Sequence, residues 1–150
     1  LALGGEALFA ALAEAARVER ARMTSQHLAN ISWAFGKVAS AQQGWFADVA
    51  EHLNAQDASA VPPRHLVNIL WAFSRTGLRH RPLLERLGSD FARRPETMGA
   101  WSAQDLAGAA WAYASLEVCQ PEFFRAVAAE ACAPGRLAHF GPQELQNLMW

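Results

Sequence analysis

The side chains able to do acid–base, nucleophilic or metal chemistry are scattered along this chain without a spacing that joins them. His27, His52, His65, His80 and His139 form no HxxxH or HExxH pattern, there is no glycine-rich phosphate loop, and no Ser, His and Asp set stands out. Asp48 and Glu51 are three residues apart. On a helix that spacing puts both on one side, where a solvated face is a commoner use than an acid–base pair. Cys119 and Cys132 fall in no CxxC or Cys/His metal pattern. They read as reduced, helix-packing thiols, a disulfide between them being the alternative. The expectation is a chain that is not an enzyme and holds no metal, cofactor or small-molecule substrate.

Amide and basic side chains recur more regularly. Gln26, Arg64, Gln104 and Gln143 each stand seven residues before a tryptophan, and Asn30, Asn68 and Asn147 each stand three before one. Lys37, Arg75 and Ser115 stand four after, and His65 occupies the slot next to Arg64. Such groups hydrogen-bond bases or peptides, and Lys and Arg pair with phosphate. Each also has a plainer use. The asparagines can fix a neighbouring repeat by bonding its backbone, the glutamines lie in a first helical turn, and Lys37 and Arg75 favour a helix C-terminus. Trp45 and Trp101 lie outside the recurring slot, where they either stack bases or pack at a repeat boundary.

The element that carries these slots is a repeat. Residues 26–35 read QHLANISWAF, 64–73 RHLVNILWAF, 104–113 QDLAGAAWAY and 143–150 QELQNLMW. Trp33, Trp71, Trp111 and Trp150 are 38, 40 and 39 residues apart, a period that marks a stacked array. Thr24, Pro62, Ser102 and Gly141 share the slot nine before the tryptophan, with Asp105 completing a capping box on Ser102. Pro63 and Pro142 follow, where a missing N–H costs nothing. Gly77 ends the first helix of its repeat, and Arg81-Pro82 and Gln120-Pro121 start second helices.

Apolar stripes on the second helices are Phe46, Val49, Ala50 and Leu53, then Leu84, Leu87, Gly88 and Phe91, then Phe124, Val127, Ala128 and Ala131. Leu8, Phe9 and Leu12 suggest the second helix of a preceding unit. The expected fold is therefore all-α, an α-solenoid of two-helix repeats. Its units span residues 5–22 (partial), 24–60, 61–100, 101–140 and 141–150 (partial), with both ends of the array open. With the tryptophan at zero and about 100° per residue, Leu28, Ile31, Phe35 and Val38 face the second helix. Ala29 and Gly36, with Val67, Ser74, Ala107 and Ala114, form a small-residue edge for repeat stacking, with the tryptophan beside it. The polar sector from about 20° to 120° is the expected binding face.

The net charge of −1 conceals an uneven distribution: residues 1–60 carry −2, residues 61–98 +4 and residues 99–150 −3. An anionic partner is drawn most strongly to the second full repeat. No apolar run approaches the roughly 18 residues of a membrane span, and the first residues show no targeting peptide.

The pattern Gln-x-Leu-Ala-Asn-x-x-Trp-Ala-Phe at this period resembles the octotricopeptide and related heptatricopeptide repeats, whose proteins often end in a RAP domain; the resemblance covers residues 5–150. It implies an RNA-binding helical repeat module, acting on single-stranded RNA in the mitochondrion or chloroplast, in transcript stability, processing, translation or ribosome assembly. A protein scaffold in a ribonucleoprotein or other complex is the alternative. Gly108 departs from the pattern where the others have Asn, and Val67 and Gln146 where they have Ala.

Overall fold

The structure, a computed structural model, describes residues 3–149. Among them every regular element is helical. Trp150, the last member of the recurring tryptophan set, lies outside the described residues. The chain forms two compact units that divide between His80 and Arg81. The first holds α1 (Leu3–Glu19), α2 (Ser25–Lys37), α3 (Gln43–Asn54) and α4 (Pro63–Thr76). The second holds α5 (Arg81–Arg93), α6 (Ala103–Ser115), α7 (Pro121–Ala131) and α8 (Pro142–Met149). Short 3-10 turns at Arg20–Arg22, Ala58–Ala60, Pro95–Ala100 and Arg136–His139 close the stretch before each of α2, α4, α6 and α8.

Alternate helices touch within each unit: α2 with α4 and α1 with α3 in the first, α6 with α8 and α5 with α7 in the second. This is a stacked arrangement in which like helices of successive repeats lie side by side. The helix starts explain why. Thr24 caps α2 in a reciprocal box with His27, and Ser102 caps α6 in the same way with Asp105. At α8 the Glu144 carboxylate accepts from the Gly141 N–H at 3.0 Å. These side chains satisfy N–H groups that a helix start leaves orphaned. The helix ends recur too. Ala39, Gly77 and Glu117 all adopt positive φ, at 52°, 69° and 55°, six residues after Trp33, Trp71 and Trp111. The next N–H then reaches back five residues, from Ser40 to Phe35, Leu78 to Phe73 and Val118 to Tyr113, the Schellman pattern that reverses the chain.

The core of the first unit is aromatic. Phe35 lies edge-on to Trp45 at 6.2 Å and to Phe9 at 6.2 Å, and Phe46 edge-on to Phe73 at 4.9 Å. Trp45 is fully buried and its indole N–H donates to Ser32 Oγ at 3.0 Å. In the second unit Tyr113 takes the place that phenylalanine holds in its counterparts. Its ring packs on Phe123 at 4.3 Å, and its hydroxyl donates to the Leu84 carbonyl at 2.8 Å. Trp101 is buried against Phe91 at 4.9 Å. Both tryptophans outside the recurring slot are thus packing residues.

Several sequence expectations need correction. In α7 the buried stripe is Phe123, Ala126, Val127 and Ala131, whereas Phe124 is half-buried and Ala128 exposed. Leu8 and Leu12 are 57% and 50% exposed; α1 turns Ala13 inward, with Phe9 half-buried. Asp48 is no solvated carboxylate, since Arg17 Nε sits 2.7 Å from it and Arg20 Nη1 donates to its backbone carbonyl at 3.0 Å. It ties α3 to α1. Cys119 and Cys132 are free thiols, but both are exposed rather than packed.

Candidate nucleic-acid interface

Gly36 sets the geometry of the first-unit face. A Cβ added there would meet Trp71 Cζ3 at 2.9 Å and the Ala72 Cα at 3.0 Å, so α2 and α4 approach to backbone contact at this point. The expected small-residue edge does its work here: Ala29 and Gly36 are buried. In the second unit Ala110 and Ala114 of α6 line one groove with Asn147 and Leu148 of α8.

The covering edge of α4 is less expected. Trp71 and Ala72 meet Gly36, and His65 Nδ1 lies 3.0 Å from Ser25 Oγ. On the helical wheel these stand at about 0°, 100° and 120°. The sector assigned to binding is therefore partly the edge that receives the preceding first helix. Asn68, at about 60°, is half-buried, as is His65. Their counterparts on α2, Asn30 and His27, are exposed; among the described residues no first helix precedes α2.

The slots nearer the tryptophan behave differently. Gln26, Arg64, Gln104 and Gln143 are all exposed. Lys37 and Arg75 are exposed and Ser115 is half-buried, its hydroxyl oxygen without a hydrogen-bond partner. Gln143 donates to Asn147 Oδ1 at 3.1 Å, so these two candidates on α8 bond each other. Asp105, beside Gln104, is buried and its carboxylate accepts from the Ser102 backbone and hydroxyl. In the first unit the structure brings together Gln26, Asn30 and Lys37 of α2 with Arg64, His65, Asn68 and Arg75 of α4. In the second, Gln104 and Ser115 stand on α6, and Gln143 and Asn147 on α8.

The electrostatics favour the first-unit face. Neither α2 nor α4 contains a carboxylate, and they carry Lys37, Arg64 and Arg75. The surplus of arginine in residues 61–98 is partly spent on α5, where Arg86 and Arg93 each lie 2.7 Å from Asp90, and Arg81 lies 4.0 Å from Glu85.

Sequence reasoning assigned the recurring tryptophan to stacking alone and so passed over Trp33. Its ring stacks on that of Trp71, centroids 6.2 Å apart and planes inclined by 29°, yet it remains 44% exposed. Lys37 Nζ lies 5.4 Å from the Trp33 centroid and Arg75 Cζ 5.9 Å from that of Trp71. The signal was present in the sequence as Trp and Lys or Arg four apart, one helical turn.

Among the described residues no group of His, Cys, Asp and Glu is placed to hold a metal ion, and no helix is long and apolar enough to cross a membrane. Each unit is a stacked all-α arrangement, and the first carries a basic, aromatic edge. Comparison with family models, curated proteins and solved structures finds no match.

Proposed function

We propose that this chain is an RNA-binding segment of an α-solenoid, taking single-stranded RNA along its first helices, and that it is a binding module rather than an enzyme. The observation that carries the reading is the exposure of Lys37, Arg64 and Arg75 on two neighbouring helices that hold no carboxylate. Gln26 adds to that face an amide able to bond base edges or ribose, and Gln104 holds the same slot in the second unit. The resemblance of the repeat to the octotricopeptide class supports an organellar transcript as the target, in the mitochondrion or chloroplast.

The test is fluorescence-anisotropy titration of the chain with labelled single-stranded RNA between 50 and 200 mM salt. Three cationic contacts predict a slope of log K against log salt of about −2, or roughly an eighteenfold loss of affinity over that range. Arg64→Glu with Arg75→Glu removes two of the contacts and leaves a slope no steeper than about −0.7. An unchanged slope in the double variant would remove this face from consideration. No binding at either salt would refute the RNA reading and leave a protein as the partner to test.

A further inference from the structure

We infer that Trp71 is a positioning residue for Arg75, holding its guanidinium for a strand phosphate, so that the contact between α2 and α4 also sets the grip on the ligand; this deepens the reading just given and rests on it. Trp71 and Arg75 stand one turn apart on α4, and Arg75 Cζ lies 5.9 Å from the indole centroid, within cation–π range. The indole is itself fixed from the neighbouring helix. A Cβ on Gly36 would come within 2.9 Å of its Cζ3 atom, and the Trp33 ring stacks on it with centroids 6.2 Å apart. Trp71 is half-buried, whereas Arg75 stays exposed with α2 packed against α4.

The chemistry of the guanidinium makes the two contacts compatible. It meets an aromatic ring through its face, while its N–H donors lie in its own plane and point outward. An arginine over an indole therefore keeps its fork free for two phosphate oxygens. Neither α2 nor α4 carries a carboxylate to compete for that fork. A free arginine gives up the freedom of a long side chain when it binds, and one already held by an indole has given up part of it beforehand, which raises affinity. The indole thus acts on the grip and not on the charge, since removing it leaves the guanidinium in place. A tryptophan that served packing alone would influence every contact along the face alike, Arg64 included.

The experiment is a double-mutant cycle on Trp71 and Arg75, read by fluorescence anisotropy with labelled oligo(U) over the same salt range, with circular dichroism to verify each fold. Trp71→Leu weakens binding by about two- to twelvefold, the cost of ordering one free arginine, and leaves the slope of log K against log salt unchanged. Arg75→Ala makes that slope shallower by about 0.7. In the Arg75→Ala background Trp71→Leu has no further effect, and Trp71→Phe, which keeps a π-face, retains most of the wild-type affinity. Should Trp71→Leu not fold, Trp71→Met in both backgrounds carries the same comparison. If the Trp71 variant weakens binding equally in both backgrounds, or in neither, the positioning inference falls and the RNA reading stands. If the wild type does not bind the strand, both fall.

Discussion

Replacing Gly36 by alanine sets two opposing effects against each other, and the sign of the result tests the repeat-stacking geometry. Gly36 lies in the last turn of α2. On an isolated helix the change to alanine stabilises by about 0.8–1.0 kcal/mol, because alanine loses less backbone entropy and shields the backbone. Here the new Cβ would lie 2.9 Å from Trp71 Cζ3, 3.0 Å from the Ala72 Cα and 3.2 Å from the Ala72 Cβ. The indole edge can yield by rotating, but a Cα moves only if α4 moves. Overpacking of this kind costs about 1–3 kcal/mol, so the expected balance is a destabilisation of up to about 2 kcal/mol. Urea unfolding followed by far-UV circular dichroism reads it as a lower midpoint, by up to roughly 1 M for slopes of about 2 kcal/mol/M. Gly36→Val, which adds two methyl groups more, lowers the midpoint further. A midpoint raised by alanine would mean that α2 and α4 separate at no cost, and would refute the argument that their close approach holds the two repeats together.

Ala39 occupies the left-handed position that Gly77 occupies in the next repeat, with φ of 52° and an exposed side chain. Ala39→Gly relieves that conformation and is expected to raise stability by about 0.5–1 kcal/mol, measurable as a higher melting temperature; a lower one would contradict the strain. Burial pushes the Tyr113 hydroxyl well above the ordinary phenol range. Below about pH 10 both folded and unfolded chains keep the proton and the contribution is complete. Above it the unfolded state releases the proton first, so stability falls as pH rises, at up to about 1.4 kcal/mol per unit. Tyr113 is the sole tyrosine, so phenolate absorbance reports it directly, and titration near pH 10 in the folded protein would contradict the burial. Tyr113→Phe leaves the Leu84 carbonyl without this donor and costs about 1–3 kcal/mol at neutral pH, while flattening the alkaline dependence.

The tryptophan period placed the starts of α2, α4, α6 and α8 to within a residue, because each start carries local chemistry beside the recurring motif. The Ser102 and Asp105 box was legible, and the Thr24 and His27 box was not, since an imidazole seldom serves as the reciprocal acceptor. The left-handed stop was legible only at Gly77; Ala39 and Glu117 adopt the same backbone without a residue type that announces it. In α7, Phe123 and Phe124 each begin an apolar i, i+3, i+4 series, so periodicity alone could not choose between them. Packing on Tyr113 chose Phe123. The 3-10 turns before the first helices went unread because their sequences share no pattern.

The proposed binding face shows why polarity on a helical wheel is an incomplete guide. A helix within a stack has two edges facing neighbours, and one of them can be polar: His65 meets Ser25, and Asp105 is spent on its own cap. In the proposed reading a strand along a unit needs slots that stay accessible on both of that unit's first helices. The slot seven before the tryptophan meets that requirement at Gln26 and Arg64 in the first unit and at Gln104 and Gln143 in the second, all exposed. The slot three before does not, since Asn30 is exposed but Asn68 and Asn147 are half-buried. Recognition by this reading therefore concentrates on the Gln/Arg and Lys/Arg slots flanking the indole. Asn68 is half-buried, so Asn68→Ala should alter stability more than affinity. Arg64→Ala should do the reverse, and equal losses of affinity in the two variants would show that the half-buried edge also touches the strand.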